Sequence, residues 1–400
     1  MNQNNKSVLV YLSHSSATGG ASKVIESVIN SLAGEFNFEI ITTNEYDEKE
    51  FQSNHRFDVL CPINSFNYRR SKSYPEFFNY FWKVPVCFVR YLHLLRKNKP
   101  DISLSFVELE NIVNLLCRPF NSSTKAIISF RTSPVSATFP VYFQLFYKVL
   151  VYLSKYLADL IIVNSEDVKR ILVNQFGIVE SKISVIYNPK DITSIHKCAS
   201  EELTESFFNT TEPILINVGR LSDQKGQWHL LRVFSQIIKT TPARLVICGD
   251  GPLDSYLKSL TKELCIEDSV LFTGWCENPH KYVSKSTVFV LSSLYEGLPN
   301  ALIEALICGC PSVSSDCKTG PAELLENGKY GLLSQDLDGI KYDANAPLSE
   351  SERDLYEKIL LLLNDTELQE KFRVRSKERA LLFEKDGRMK EYADAFNSVL

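Results

Sequence analysis

The chain has 400 residues, 44% of them hydrophobic and 23% charged, and a formal net charge of -4. It is too long for one ordinary core and too apolar for a disordered or fibrous protein, so two α/β domains are expected. The charge is uneven: residues 1–200 hold 22 Lys/Arg against 17 Asp/Glu, and the remainder 22 against 31.

The opening residues, MNQNNKSVLVYLSHSS, are polar and lack a long apolar core, so no secretory signal is expected. Val8–Leu12, Phe38–Thr42, Ile102–Phe106, Ala126–Ser129 and Leu160–Val163 are short apolar runs that read as buried strands. Helical patterns such as Ser22–Ala33 and Asp167–Gln175 lie between them. Continuous apolar strands joined by crossover helices imply a parallel sheet covered on both faces. The positive surplus gathers between Arg69 and Lys99, where eight basic residues accompany one acid, Glu76. Phe139–Leu157 comes nearest to a membrane span, but Lys148 and Lys155 interrupt it.

After Ile183–Tyr187 come Asn188-Pro189 and a polar, acidic stretch to Glu212, the expected linker. A second alternating series follows: Ile214–Val218, Leu245–Cys248, Val270–Phe272, Val288–Leu291 and Ser312–Ser314. The expected organisation is therefore a doubly wound domain over 1–190, a linker over 191–212, a second such domain over 213–375 and a closing helix over 376–400. Open α/β sheets place ligands at their carboxyl edges, here in a cleft between the two domains.

Ten cysteines without paired spacing read as reduced thiols, and hence a cytoplasmic chain. Cys308, Cys310 and Cys317 lie close in sequence, but no histidine completes a zinc set, so no metal is expected. Asp336-Leu337-Asp338, the one D-x-D, sits in a polar loop rather than at a strand end. N-x-[ST] triplets such as those at Asn121, Asn209 and Asn364 would carry no sugar in that compartment.

The strongest chemical signal is Ser292–Pro311, SSLYEGLPNALIEALICGCP. It follows a strand, and Gly297 and Pro299 set up a helix start with proline in the first turn. Amides from Gly297 to Ala301 would form an anion site there. Glu296 and Glu304 stand at most about a dozen ångströms apart along that axis. That separation is too wide for a glycosidase pair and suits two hydroxyl-rich ends of one ligand. In ILINVGRLSDQKG, a strand delivers Gly219, after which Arg220 and Lys225 supply two cations suited to a diphosphate. In SHSSATGGASK, Gly19 and Gly20 would let backbone approach a phosphate before a helix. CGDGP, Cys248–Pro252, lacks the third glycine of a dinucleotide fingerprint.

The string E-G-L-P-N-x4-E-A from Glu296 resembles the paired-glutamate signature of family 4 retaining glycosyltransferases, which have the GT-B fold of two Rossmann-like domains. The similarity extends to GRLSDQKG, CGDGPL, FTGW, GCPSVSSD and GPAELLENGKYGLL, and to ADLIIVNSEDVKR and ISVIYNP in the first domain. The resemblance implies that Arg220 and Lys225 hold the diphosphate of a nucleotide-sugar donor, with UDP favoured, in the loop opened by Gly219. It further implies that Glu304 binds the ribose, that Glu296 contacts the sugar, and that the backbone of Gly297, Leu298, Pro299 and Asn300 lines sugar and phosphate. Trp275 and Cys276 would neighbour the base, and Gly20 the phosphates. Many members carry a histidine where this chain has Arg131, in SFRTSP. Arg131 and His14 are therefore the acceptor-side candidates, and no general base is assigned.

Transfer in this family is drawn as a front-face displacement that needs stabilised leaving charge and a positioned acceptor, with no metal or other cofactor. The aromatics among the basic residues of Tyr68–Lys99, with those of Tyr142–Tyr156, suggest docking on an anionic membrane and a polyprenyl-diphosphate-linked or glycan acceptor. Two rival readings are a nucleotide-sugar epimerase of related fold and a non-catalytic nucleic-acid-binding protein. No nucleic-acid motif is present, so no such partner is expected.

Overall fold

The computed structural model describes residues 5–12, 20–42, 56–59, 84–135 and 141–400. His14 lies outside them, as do Tyr74, Phe77, Phe78, Tyr80, Phe81 and Trp82 of the aromatic stretch. The chain divides into two compact units, Met1–Pro189 with Lys385–Leu400, and Lys190–Glu384.

The first unit is built on a sheet of seven parallel strands: β1 Lys6–Leu12, β2 Phe36–Thr42, β3 Arg56–Val59, β4 Ile102–Ser105, β5 Lys125–Phe130, β6 Leu160–Val163 and β7 Ile183–Val185. Their spatial order is β3-β2-β1-β4-β5-β6-β7. Side chains on β1 alternate between two cores, as a strand buried on both faces requires. Val8, Val10 and Leu12 join the Gly20–Leu32 helix and the C-terminal Lys385–Asn397 helix, which supplies Met389, Tyr392 and Phe396. Leu9 and Tyr11 face the Val84–Asn98 and Glu108–Cys117 helices through Cys87, Tyr91, Leu95, Val113 and Cys117.

The second unit repeats the plan with six parallel strands: β8 Ile214–Val218, β9 Arg244–Cys248, β10 Val270–Gly274, β11 Val288–Leu291, β12 Ser312–Ser315 and β13 Leu332–Ser334. Their order is β10-β9-β8-β11-β12-β13. In each unit the winding reverses beside the first strand, between β1 and β4 and between β8 and β11. That reversal leaves a crevice at the carboxyl edge where loops from neighbouring strands diverge.

Three expectations are corrected. Residues 191–212, expected as a linker between the domains, belong to the second unit, where Asp191 caps a helix at Ile192–Ala199 that buries Ile192 and Ile195. The segment closing the first unit begins at Lys385, while 376–384 belong to the second, where Arg379 bonds the carbonyls of Glu323 and Leu324. Pro299 is the cap of its helix, with φ -70 and ψ 106, and not a first-turn residue; the helix spans Asn300–Ile307. Its extended ψ leaves the carbonyl to accept from the amides of both Leu302 and Ile303.

Candidate functional site

The reversal between β8 and β11 brings together the two strongest motifs of the sequence. The loop after β8 is drawn against its neighbour by Leu221, which is fully buried in the core. Its amide bonds the Asp250 carbonyl at 2.8 Å, and its carbonyl accepts from Leu253 at 3.0 Å. Here the CGDGP string finds its structural role. A Cβ at Gly249 would lie 2.1 Å from the Gly219 carbonyl, and one at Gly251 would lie 2.4 Å from that of Leu221. Those two glycines let the β9 loop lie flat on the backbone of the loop after β8.

A short turn over Asp223–Lys225 ends at Gly226, which has φ +57 and opens the Gln227–Ile237 helix. A Cβ there would meet the Ser292 carbonyl at 2.4 Å. Only glycine meets both demands. The loops after β8 and β11 are then stitched together: Ser292 Oγ donates to the Lys225 carbonyl at 2.9 Å, Leu294 N to the Gln224 carbonyl at 2.8 Å, and Gln224 Nε2 to the Tyr295 carbonyl at 3.0 Å.

This stitching brings Lys225 Nζ to 2.5 Å from Glu296 Oε1, an ion pair largely shielded from solvent. Ser293 Oγ donates to the same oxygen at 2.7 Å. The Thr319 hydroxyl donates to the Glu296 carbonyl, and Gly320, with φ +96, packs on the Gly297 carbonyl and the Pro299 ring. The Lys225 side chain runs over Gly219, and Arg220 is exposed on the same loop, its carbonyl taken by Gln227 Nε2 at 3.1 Å. Gly297, Leu298 and Pro299 are buried, and Asn300 is half-buried at the start of the helix. The first amides of a helix lack intrahelical partners and favour an anion.

One turn into that helix, Glu304 Oε1 accepts from Lys190 Nζ at 2.5 Å. The Lys190 amide bonds the Phe383 carbonyl at 2.7 Å, so this residue also joins the first and last segments of the second unit. Trp275, with 63% of its surface exposed, and half-buried Cys276 follow β10 at the same carboxyl edge. The sequence reading missed Lys190, Ser293, Thr319 and Gly226. Lys190 carried no local signal, because its partner Glu304 lies 114 positions away.

Elsewhere in the second unit, Glu352 is buried with His229 and Arg232. Its Oε1 lies 2.8 Å from His229 Nδ1 and accepts from Arg232 Nε at 2.9 Å. Arg232 also bonds the carbonyls of Ala346 and Pro347, at 3.1 and 3.0 Å. Burial pushes the Glu352 carboxyl upward, but bonds from His229, Arg232 and the Ser349 amide outweigh it and hold the group below its ordinary 4.5. Burial raises the thiols of Cys308 and Cys310, the latter to about 12, so both are neutral thiols at physiological pH.

In the first unit, Arg131 follows β5. Its guanidinium donates to Asn188 Oδ1 and to the Tyr392 hydroxyl, and lies 5.8 Å from the Phe106 ring centre. It therefore ties the Asn188-Pro189 string to the C-terminal helix. Gly20 is the first residue of the Gly20–Leu32 helix, and the loop before it lies outside the described residues.

Two doubly wound parallel sheets, the second with cations and a helix start at its reversal point, define the GT-B class of glycosyltransferases. Solved structures agree on the fold: the Anabaena protein HepE, determined with UDP-glucose, superposes with a TM-score of 0.75 at 17% identity, covering 98% of this chain and 99% of that one.

This chain belongs to the family 4 glycosyltransferases. The family described as Glycosyltransferase Family 4 matches residues 18–194, and that described as Glycosyl transferases group 1 matches residues 200–379. An uncharacterized glycosyltransferase of Methanocaldococcus jannaschii is 34% identical over 307 residues, 70% of this chain and 75% of that protein. The N-acetylgalactosamine-N,N'-diacetylbacillosaminyl-diphospho-undecaprenol 4-alpha-N-acetylgalactosaminyltransferase of Campylobacter jejuni is 29% identical over 373 residues, 93% of this chain and 94% of that protein. Neither the epimerase reading nor the nucleic-acid reading gains support from these matches.

Proposed function

We propose that this glycosyltransferase moves a hexosyl or N-acetylhexosaminyl group from a UDP-sugar to a lipid-linked glycan, with retention at the anomeric carbon, during polysaccharide assembly. The observation that carries this reading is the Lys225–Glu296 pair, at 2.5 Å, set beside Arg220 and the Pro299-capped helix. Two cations and a helix start suit a pyrophosphate, while Glu296 and Glu304 suit the hydroxyls of sugar and ribose at its two ends. In this reading Arg220, Lys225 and the helix amides neutralise the departing diphosphate, and Glu296 orients both Lys225 and the donor sugar. Ser293 and Thr319 fix Glu296 in place.

The UDP-glucose complex of HepE supports a uridine donor, and the undecaprenol-linked substrate named for the Campylobacter relative supports a lipid-linked acceptor. We place the enzyme in the cytoplasm, at an anionic membrane surface. The donor site needs no metal in this scheme, so a chelator should leave turnover unchanged.

A thermal-shift panel of nucleotide diphosphates and nucleotide sugars tests the donor, because a ligand of the folded state adds RT ln(1 + [L]/Kd) of stability. Protection by UDP but not by ADP or GDP is expected. Transfer from the protective sugar to a polyprenyl-diphosphate glycan, with the new linkage examined by NMR, then tests acceptor and retention. An inverted linkage or a water-soluble acceptor would refute the corresponding part.

A further inference from the structure

The helices over one face of the first unit expose a strip that core packing does not account for. Within the Val141–Leu157 helix, Phe146, Tyr147, Leu150, Val151 and Ser154 are buried against the unit. Leu145, Val149, Tyr152 and Tyr156 are instead 63%, 46%, 64% and 61% exposed. Their spacing of four, three and four residues aligns them along one side of a helix. The Tyr152 and Tyr156 rings stand 5.0 Å apart along it. Lys148 is exposed beside them, and Lys155 reaches across the Tyr156 ring at 5.9 Å.

The largely buried Glu108–Cys117 helix packs against this helix and against Val84–Asn98 on its other side. Val84–Asn98 exposes Val86, Val89, Arg90, His93, Arg96 and Lys97. Together the two outer helices contain five Lys/Arg, namely Arg90, Arg96, Lys97, Lys148 and Lys155, and neither contains an Asp or Glu. Tyr91, Phe146 and Tyr147, which the sequence grouped with the docking aromatics, belong to the core, so the surface is narrower than the composition of the segment suggests.

We infer that this face docks on an anionic lipid bilayer, with the Leu145–Tyr156 strip entering the headgroup region and the flanking cations meeting lipid phosphates. The inference deepens the proposed membrane setting and rests on the lipid-linked acceptor for its purpose. Three features select a bilayer. Apolar residues and tyrosines share a strip with lysines, the arrangement that lies in a membrane interface. Acid-free helices complement anionic headgroups. A second copy of the same face would bring like charges together. No helix among the described residues is long and apolar enough to cross a membrane, so contact would be peripheral.

The test is co-sedimentation of the full chain with vesicles of phosphatidylglycerol and phosphatidylcholine, or of phosphatidylcholine alone, at low and high salt. The expected result is binding to the anionic vesicles that weakens as salt rises. Replacing Leu145→Glu and Val149→Glu together should lower partitioning by at least about tenfold, and Lys148→Glu alone by about fivefold. A second apolar-strip variant, Tyr152→Ser with Tyr156→Ser, covers the case in which the first fails to fold. The same samples are melted with and without UDP. Unchanged UDP protection alongside lost vesicle binding is the supported outcome. Equal partitioning of folded variants and wild type overturns the docking face, as does indifference of the wild type to anionic vesicles. A concentration-dependent dimer abolished by the same variants would assign the strip to a second copy and overturn it too. Absence of UDP protection in the wild type contradicts the donor reading alone.

Discussion

Lys225 and Glu296 hold each other at 2.5 Å in a largely desolvated setting, with Ser293 sharing the carboxylate. Removing the cation would leave a shielded carboxylate without its counter-charge and, on the proposed reading, the leaving diphosphate without one either. Lys225→Ala should therefore lower kcat/KM by about 10²- to 10³-fold, the range seen when one preorganised electrostatic group is lost. Glu304 poses a different question because Lys190 already holds it. If Glu304 serves the ribose, Glu304→Gln should weaken UDP by about 1.5–3 kcal/mol, the worth of a charged hydrogen bond, which calorimetry would read directly. Gly226 tests the scaffold and not the chemistry. Gly226→Ala combines φ +57 with a 2.4 Å approach to the Ser292 carbonyl and should cost about 1–3 kcal/mol in a thermal melt. Gly34→Ala meets nothing within 4 Å and should stay within about 0.5 kcal/mol of wild type.

Much of the site was legible because its parts lie close in sequence: Arg220 with Lys225, and Glu296 with Glu304, each span a single strand–loop–helix unit. Lys190 was not, because it meets Glu304 across 114 positions and nothing local to either residue announces the pairing. Elements followed the same logic. Strands written as unbroken apolar runs, such as Val8–Leu12, stand out, whereas β3 reads Arg-Phe-Asp-Val and lacks that signature. The Ile192–Ala199 helix was hidden in a polar stretch, since only Ile192 and Ile195 on its inner face are buried. The Glu352 cluster shows what an element can contribute beyond its motif. With its folded pKa held below 4.5, the carboxylate stabilises the fold above the unfolded value, and that contribution fades as pH falls through the folded one. Glu352→Gln should cost about 3–5 kcal/mol at neutral pH by unpairing buried Arg232. The gap in melting temperature between it and wild type should narrow on acidification; a gap independent of pH would contradict this pairing.

Across the whole molecule, the chain leaves its first unit at Pro189 and returns to it at Lys385. The returning helix is part of the first core: Phe396 packs edge-on to Phe36, and Tyr392 stacks near Phe106. Phe396→Ala should therefore cost the first unit about 3–5 kcal/mol while leaving UDP protection of the second intact, visible as an early transition in calorimetry. Arg131, bonded to Asn188 and Tyr392, joins both crossing segments within that unit. Its place after β5 fits a role in holding the C-terminal helix.

The measurement that bears most directly on the account is calorimetric titration of UDP into wild type and into the Arg220→Ala, Lys225→Ala double variant, paired with turnover of the UDP-sugar. The account predicts a folded variant whose UDP affinity falls at least about tenfold and whose turnover falls about 10²-fold or more. A variant that binds UDP and turns over like the wild type would show that these cations do not receive the leaving diphosphate.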